Sequence, residues 1–411
     1  MGYSEIKDEI KELFHQVAEL AESPENQRRK QMWDSEFSPE EYEPGLIAPF
    51  PADKRKEKRP PITADWDRLQ WSRLLHFDIK KYYMDALYYL KWTLATDVYR
   101  FRNFPDDTPL AKTIPLFLGV AFEPSLFEVP VVYSSTREPL FTSEGAVVKK
   151  KSDLARIKAP DFFRSGLMPL AHKFYQEINE LVPKDFSVIF PVWIRGPFGV
   201  ACAMRSMQEL LIDMIEEPKF VHELMRFITD SRKEYTRESR KFLGNVKVAN
   251  SCSENSLAND EVSIPIVSPR LYEEFIFPYE DELSKFYGGI NWWHSCGNKT
   301  PLVSVIKKIS QPIGFMDFAL WADDLQRGVR NLGGAIPFHV RPSFGDISER
   351  SEEIIKNHVQ GIMCICKGQN FAFRLDGFEP SDANEKDVDT MKRYLSIAKK
   401  AGEENLKYVD D

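Results

Sequence analysis

The segment Ile290-Asn291-Trp292-Trp293-His294-Ser295-Cys296-Gly297-Asn298 holds the residues of this chain best suited to chemistry. A short apolar run ends in His-x-Cys and is broken at once by Gly-Asn. If residues 289–293 form a strand, His294 and Cys296 stand two apart at its end and point the same way, because strand side chains repeat every second residue. An imidazole and a thiol then converge at one mouth, which is part of a zinc shell of neutral nitrogen and thiolate sulfur. The plainer reading is a strand-end cysteine packed as a small hydrophobe beside a structural histidine. Two ligands do not fill a tetrahedral shell, so the rest of the chain must decide.

Composition narrows the field. The chain has 411 residues, 43% of them hydrophobic, and no apolar tract long enough to span a bilayer, so we expect a sizeable core and no membrane. The start, Met-Gly-Tyr-Ser-Glu-Ile-Lys, lacks the pattern of a signal peptide. Five scattered cysteines, Cys202, Cys252, Cys296, Cys364 and Cys366, do not read as a disulfide framework and fit a reducing, cytoplasmic setting. A net charge of −8 argues against a nucleic-acid partner, which needs a basic face to neutralise phosphates.

The elements that would position the pair are legible as a pattern. Residues 1–75 are charged and helical, then broken by Pro49, Pro51, Pro60 and Pro61, and read as an N-terminal helical extension. From residue 76 to 411, short β-branched or aromatic runs alternate with amphipathic stretches, the mark of repeated βα units and a parallel sheet. The runs are 114–119, 187–194, 246–250, 289–293, 313–318, 335–340 and 371–375; helical segments include 206–215, 219–243, 268–286 and 352–359. The expected fold is α/β, a (β/α)8 TIM-type barrel.

Such a barrel presents its chemistry at the C-terminal ends of the strands. Polar residues recur there: Glu123, Trp193 with Arg195-Gly196-Pro197-Phe198, Glu254-Asn255, Asn259-Asp260-Glu261, His294 with Cys296, Asp317 with Trp321, His339 with Arg341, and Asp376. Any one of them taken singly fits a helix cap or loop hydrogen bond equally well. We expect Trp193, Arg195, Phe198, Asn255, Trp321 and His339 to bind substrate, and Glu254, Asp260 or Asp317 to serve as a catalytic acid.

In these landmarks the chain resembles the uroporphyrinogen decarboxylase superfamily over roughly residues 110–402, and in particular its cobamide-dependent methyltransferase branch. The resemblance is carried by Arg195-Gly196-Pro197-Phe198 with Ser206-Met207-Gln208-Glu209-Leu210-Leu211 and Glu217-Pro218, by Asn259-Asp260-Glu261-Val262-Ser263, and by Val267-Ser268-Pro269-Arg270-Leu271-Tyr272 through Pro278-Tyr279. The most specific element is His294-Ser295-Cys296-Gly297-Asn298.

Similarity to that branch implies a zinc ion held by His294, Cys296 and a third ligand, normally a cysteine at the end of the last strand. It also implies a methyl group passing to or from the cobalt of a corrinoid (cobalamin) on a separate protein; no Asp-x-His-x-x-Gly corrinoid pattern occurs in this chain. The last strand here ends in Phe373-Arg374-Leu375-Asp376 without a cysteine, so Asp376 is the expected third ligand and Cys366 the alternative. Arg59-Pro60-Pro61 shares only the opening of the decarboxylase branch's arginine motif, which leaves decarboxylation of a carboxylated, tetrapyrrole-like substrate as the second reading. A third is a barrel that binds a ligand or corrinoid protein without catalysis. Aromatic residues near the strand ends suit a methoxylated arene or an N-methylated amine as small-molecule partner. A homodimer is compatible with all three readings.

Overall fold

Short strands alternate with helices along the whole chain. In the computed structural model, which describes residues 3–33, 58–244, 254–342, 351–376 and 384–406, the strands are β1 (Ile62–Asp65), β2 (Thr113–Pro115), β3 (Ser187–Ile189), β4 (Leu257–Ala258), β5 (Ile290–His294), β6 (Ile313–Ala319), β7 (Phe338–Arg341) and β8 (Phe371–Asp376). Six of them lie in the order β1-β8-β7-β6-β5-β4, and β2 pairs with β3. Two compact units are distinguished: Met1–Ile114 with Leu181–Ser187 and Phe315–Asp411, and Pro115–Glu180 with Val188–Gly314.

In the first unit, parallel ladders set Asp317 opposite His339, Val340 opposite Phe373, and Asp65 opposite Asp376. Every residue of Phe338–Arg341 is buried, and all but Gly314 in Ile313–Ala319. Burial on both faces lets β7 keep an apolar–polar alternation, Phe-His-Val-Arg, with its polar side chains buried as well.

The first unit is fastened by two adjacent buried carboxylates. Asp106 and Asp107 are both fully buried. Arg29, on the helix Pro24–Lys30, donates to Asp106 at 3.1 Å and to the Phe104 carbonyl at 3.0 Å. Arg59 grips Asp107 with two bonds of 2.6 and 2.9 Å, and Lys399 lies 3.2 Å from the same carboxylate. Strand β1 hangs from the pair, since Ile62 and Ala64 donate their backbone N–H groups to Asp107 and Asp106. Burial opposes the charge on Asp107, but the Arg59 guanidinium outweighs it and holds the carboxyl down to about 2.

In the second unit, Leu257 pairs with Trp293 and Ala258 with His294 in a parallel ladder, and Arg195 bridges Ala258 on the other side. The long helix Pro218–Phe242 and the helices Pro269–Phe275 and Phe277–Tyr287 complete this part of the βα succession. Ser268 caps the second of these through its hydroxyl, which accepts from Leu271 N–H.

Where sequence and structure differ, local chemistry explains it. The helix expected over 268–286 is two helices that break at Ile276, because Pro278 brings no N–H to continue the ladder. The helix expected over 352–359 runs on to Ile365, Ser351 capping its start. Strand β1 lies within the segment read as the N-terminal extension; four residues after Pro60-Pro61 carry too little periodicity to stand out. Residues 246–250, expected as a strand, lie outside the described residues.

The carboxylate clasp yields a stability prediction. Because the folded-state pKa of Asp107 is depressed, its contribution is complete above the ordinary carboxylate range and is lost as pH falls from about 4 towards about 2. Asp107→Ala leaves Arg59 buried without its partner and should cost about 3 kcal/mol or more in urea denaturation at neutral pH, with the gap to wild type narrowing in that acid window. A loss under about 1 kcal/mol at neutral pH would show that the clasp does not hold the unit together.

Candidate metal centre

Strand β5 delivers the histidine. Its period of two puts Trp292 and His294 on one face, where the two rings stack at 4.5 Å, and turns Trp293 to the other. Beyond the strand the chain folds against the segment 259–264. Asn259 N–H donates to the His294 carbonyl at 2.8 Å, and Ile264 N–H to the Asn298 carbonyl at 2.9 Å. Gly297 is required by this close approach, since a Cβ there would lie 2.3 Å from the Ser263 hydroxyl. The Lys299 ammonium, fully buried, donates to the Ser295 carbonyl at 2.9 Å and tightens the turn.

This pinning brings a third group to the pair. Ligand atoms of Asp260, His294 and Cys296 all lie within 4.8 Å of one another. The His294 Nε2 is 3.2 Å from the Cys296 sulfur and 3.2 Å from the Asp260 Oδ1. Bond lengths of about 2.0 to 2.3 Å on a tetrahedral ion would set neighbouring ligand atoms roughly 3.3 to 3.7 Å apart, close to what is found.

The Asp260 Oδ1 is buried, although its side chain is partly exposed, and faces the His294 Nε2 at 3.2 Å. A carboxylate oxygen beside an imidazole nitrogen and a sulfur is a donor set that fits a cation. Nitrogen, sulfur and oxygen in this combination fit zinc. Burial alone would raise the Asp260 pKa, but His294, Arg195 and Cys296 outweigh it and hold the carboxyl well below its usual range.

Arg195 and Glu261 form a buried ion pair beside the triad. Arg195 is placed by backbone bonds: Ile194 and Arg195 both donate N–H to the Glu123 carboxylate, at 2.8 and 3.0 Å, and Ala258 N–H donates to the Ile194 carbonyl at 2.9 Å. Burial pushes the Glu123 carboxyl up. The guanidinium sits over the Phe141 ring at 5.2 Å. Gly199 leaves the room this pair needs, for a Cβ there would meet the Glu261 Oε2 at 2.5 Å and the Arg195 Nε at 2.9 Å. Those two atoms are buried and carry no hydrogen bond.

The other expected site residues have definite places. Trp193 is buried and donates its indole N–H to the Arg195 carbonyl at 3.0 Å, and Phe198 is fully buried in the helix Pro197–Arg205. The Asn255 amide donates to the Gly289 carbonyl, at the entry to β5. Glu254 is engaged by Arg240 rather than turned to the triad. Asp317, His339 and Trp321 belong to the first unit. Asp317 lies 3.6 Å from Arg341 and 4.0 Å from Arg374, His339 stacks on Phe315 at 4.7 Å, and Trp321 is exposed with Arg341 over its ring at 5.1 Å. Asp376 ends β8, and its side chain lies outside the described residues. Cys366, just past the helix Glu352–Ile365, is fully buried, and burial pushes its thiol up to about 12.

Sequence reasoning marked Asp260 as an acid, not as a ligand. The available signal was the polar triplet Asn259-Asp260-Glu261, but only the register of β4 against β5 shows that Asp260 lies two residues past Ala258, the partner of His294.

The family model Uroporphyrinogen decarboxylase (URO-D) matches residues 112–363, which include the whole triad. No curated protein matches the chain. Among solved structures, a methyltransferase from Methanosarcina mazei is similar with a TM-score of 0.62 at 13% identity, over 85% of this chain and 96% of that one. At that identity the likeness speaks for the fold, and it agrees with the (β/α)8 class expected from the strand pattern. More than half of the sequence thus falls under one family description, and the chain belongs to the uroporphyrinogen decarboxylase family.

Proposed function

We propose that the chain is a corrinoid-dependent methyltransferase that holds a zinc ion through Asp260, His294 and Cys296 and moves a methyl group between a small methoxylated or N-methylated compound and a corrinoid on a separate protein. The observation that carries the reading is the convergence of those three ligand atoms. The similarity in fold to a methyltransferase supports it. That neighbour's activity is its own and enters here only as support.

Zinc, when bound, supplies Lewis acidity that makes a leaving oxygen or nitrogen less basic. The residues of the chain do the rest. His294 presents Nε2 as a neutral ligand atom, its ring orientation fixed by the stacked Trp292. Asp260 would contribute a carboxylate oxygen to the ion and Cys296 its sulfur. The methyl acceptor, a cobalt(I) corrinoid, is itself a strong nucleophile, so the principal task of the protein is to hold the methyl carbon in line with it.

Geometry favours Asp260 as third ligand where the sequence pointed to Asp376, whose side chain lies outside the described residues. The purified protein should carry about one zinc per chain. Cys296→Ser should lose most of it, and Asp260→Ala should weaken binding roughly 10- to 100-fold. Elemental analysis of these variants alongside Asp376→Ala and Cys366→Ala assigns the ligand set. Equal zinc in wild type and Cys296→Ser would remove the site.

The reaction is tested optically. Mixing the enzyme with a cobalt(I) corrinoid protein and a panel of methoxyarenes and methylamines should convert the cobalt(I) spectrum to that of methyl-cobalt(III) for at least one donor. Absence of that change across the panel, together with carbon dioxide release from a carboxylated substrate, would favour the decarboxylase reading that the family match itself suggests. Ligand affinity that survives metal removal, with neither reaction detected, would favour a binding barrel.

A further inference from the structure

Behind the strands that carry the triad lies a carboxylate with no part in the chemistry proposed above. Glu280, on the helix Phe277–Tyr287, is fully buried. Its Oε1 accepts from the Asn259 side-chain amide at 2.9 Å, and its Oε2 accepts from the Trp293 indole at 2.8 Å and the Tyr272 hydroxyl at 2.6 Å. Asn259 is the residue before Asp260, and Trp293 is the residue before His294. One carboxylate therefore holds the immediate neighbours of two metal-ligating residues that lie on different strand ends.

The placement is built rather than incidental. Trp293 is fully buried and turned away from the His294 face, towards the helices, where its ring also meets Tyr272. Gly196 lies against the Asn259 carboxamide, since a Cβ there would stand 1.8 Å from Oδ1, and this close approach confines the amide that reaches Glu280. The backbone bond from Asn259 to the His294 carbonyl sets the strands in register. The Glu280 bonds set the distance between their side chains.

We infer that Glu280 is a positioning residue for the metal centre: by clamping Asn259 and Trp293 it fixes the spacing between Asp260 and His294 before any metal arrives. The inference rests on the metal reading given above. Partners of this kind behind metal ligands typically change affinity by about 10- to 100-fold when removed. The loss comes from ligands that must be reordered each time the ion binds.

The test is zinc affinity, measured by competition with a chromophoric chelator and compared with thermal melting of the metal-free protein. Glu280→Gln keeps the volume but sets an amide N–H against the indole or against the Asn259 amide, and should weaken zinc binding at least about tenfold. Trp293→Phe removes the indole donor next to His294, together with some buried volume, and should weaken it in the same direction. Tyr272→Phe keeps the ring against Trp293 and leaves both Glu280 bonds to Asn259 and Trp293 in place, and should lower the melting temperature while leaving zinc affinity within about twofold. A merely structural role would lower the melting temperature in all three and move zinc affinity in none.

Unchanged affinity in folded Glu280→Gln would overturn the inference. If that variant does not fold, equal affinity in Trp293→Phe and wild type would overturn it instead. Wild-type protein that binds no zinc would sink the metal reading itself, a different result from either.

Discussion

The hydrogen bond from Asn259 N–H to the His294 carbonyl, 2.8 Å long, is the contact on which the candidate site depends. It continues the parallel ladder of Leu257 with Trp293 and Ala258 with His294 by one step beyond the strands. A slip of one residue would exchange the faces of His294 and Trp293 and take the imidazole away from the acid. With the register as it is, the next residue after Asn259 brings a carboxylate oxygen 3.2 Å from the histidine nitrogen. Sheet pairing, the cheapest and most general of interactions, thus does the first part of bringing Asp260 to His294.

Two other features keep that geometry from relaxing. The antiparallel contact of Ile264 with Asn298 returns the chain after Cys296 to the same segment that bears Asp260, so sulfur and oxygen come from loops tied to each other. Charge is balanced close by, because Arg195 pairs with Glu261 and also lowers the Asp260 pKa. The Asp106 and Asp107 clasp does comparable work in the first unit, where buried carboxylates gather β1, the helix Pro24–Lys30 and Lys399.

The parts of this arrangement legible in the sequence were those with enough residues to show a period or a stop. Strand β5 announces itself by two tryptophans shortly before Gly-Asn, and β6 by an apolar stretch broken only by Asp317. Strand β4 is two residues, Leu257–Ala258, set among polar neighbours, and no periodicity exists in two residues. Without β4 there was no register, and without register Asp260 could be recognised only as an acid near a strand end. Glu280 was invisible for a related reason: on a helix face it reads as an ordinary surface acid, and only tertiary packing reveals that it is fully buried against an indole, a phenol and an amide. The resemblance pointed to the end of the last strand for a third ligand, and there the chain offers Asp376 in place of a cysteine.

The central claim is a mixed shell of one sulfur, one imidazole nitrogen and one carboxylate oxygen, and X-ray absorption at the zinc edge of the metal-loaded protein reads that shell directly. The account predicts a single sulfur at about 2.3 Å with the remaining ligands nitrogen or oxygen at about 2.0 to 2.1 Å, and the loss of the sulfur shell in Cys296→Ser. Two sulfurs would bring Cys366 or another thiol into the site, and no sulfur would remove Cys296 from it; either result would contradict the assignment of Asp260, His294 and Cys296.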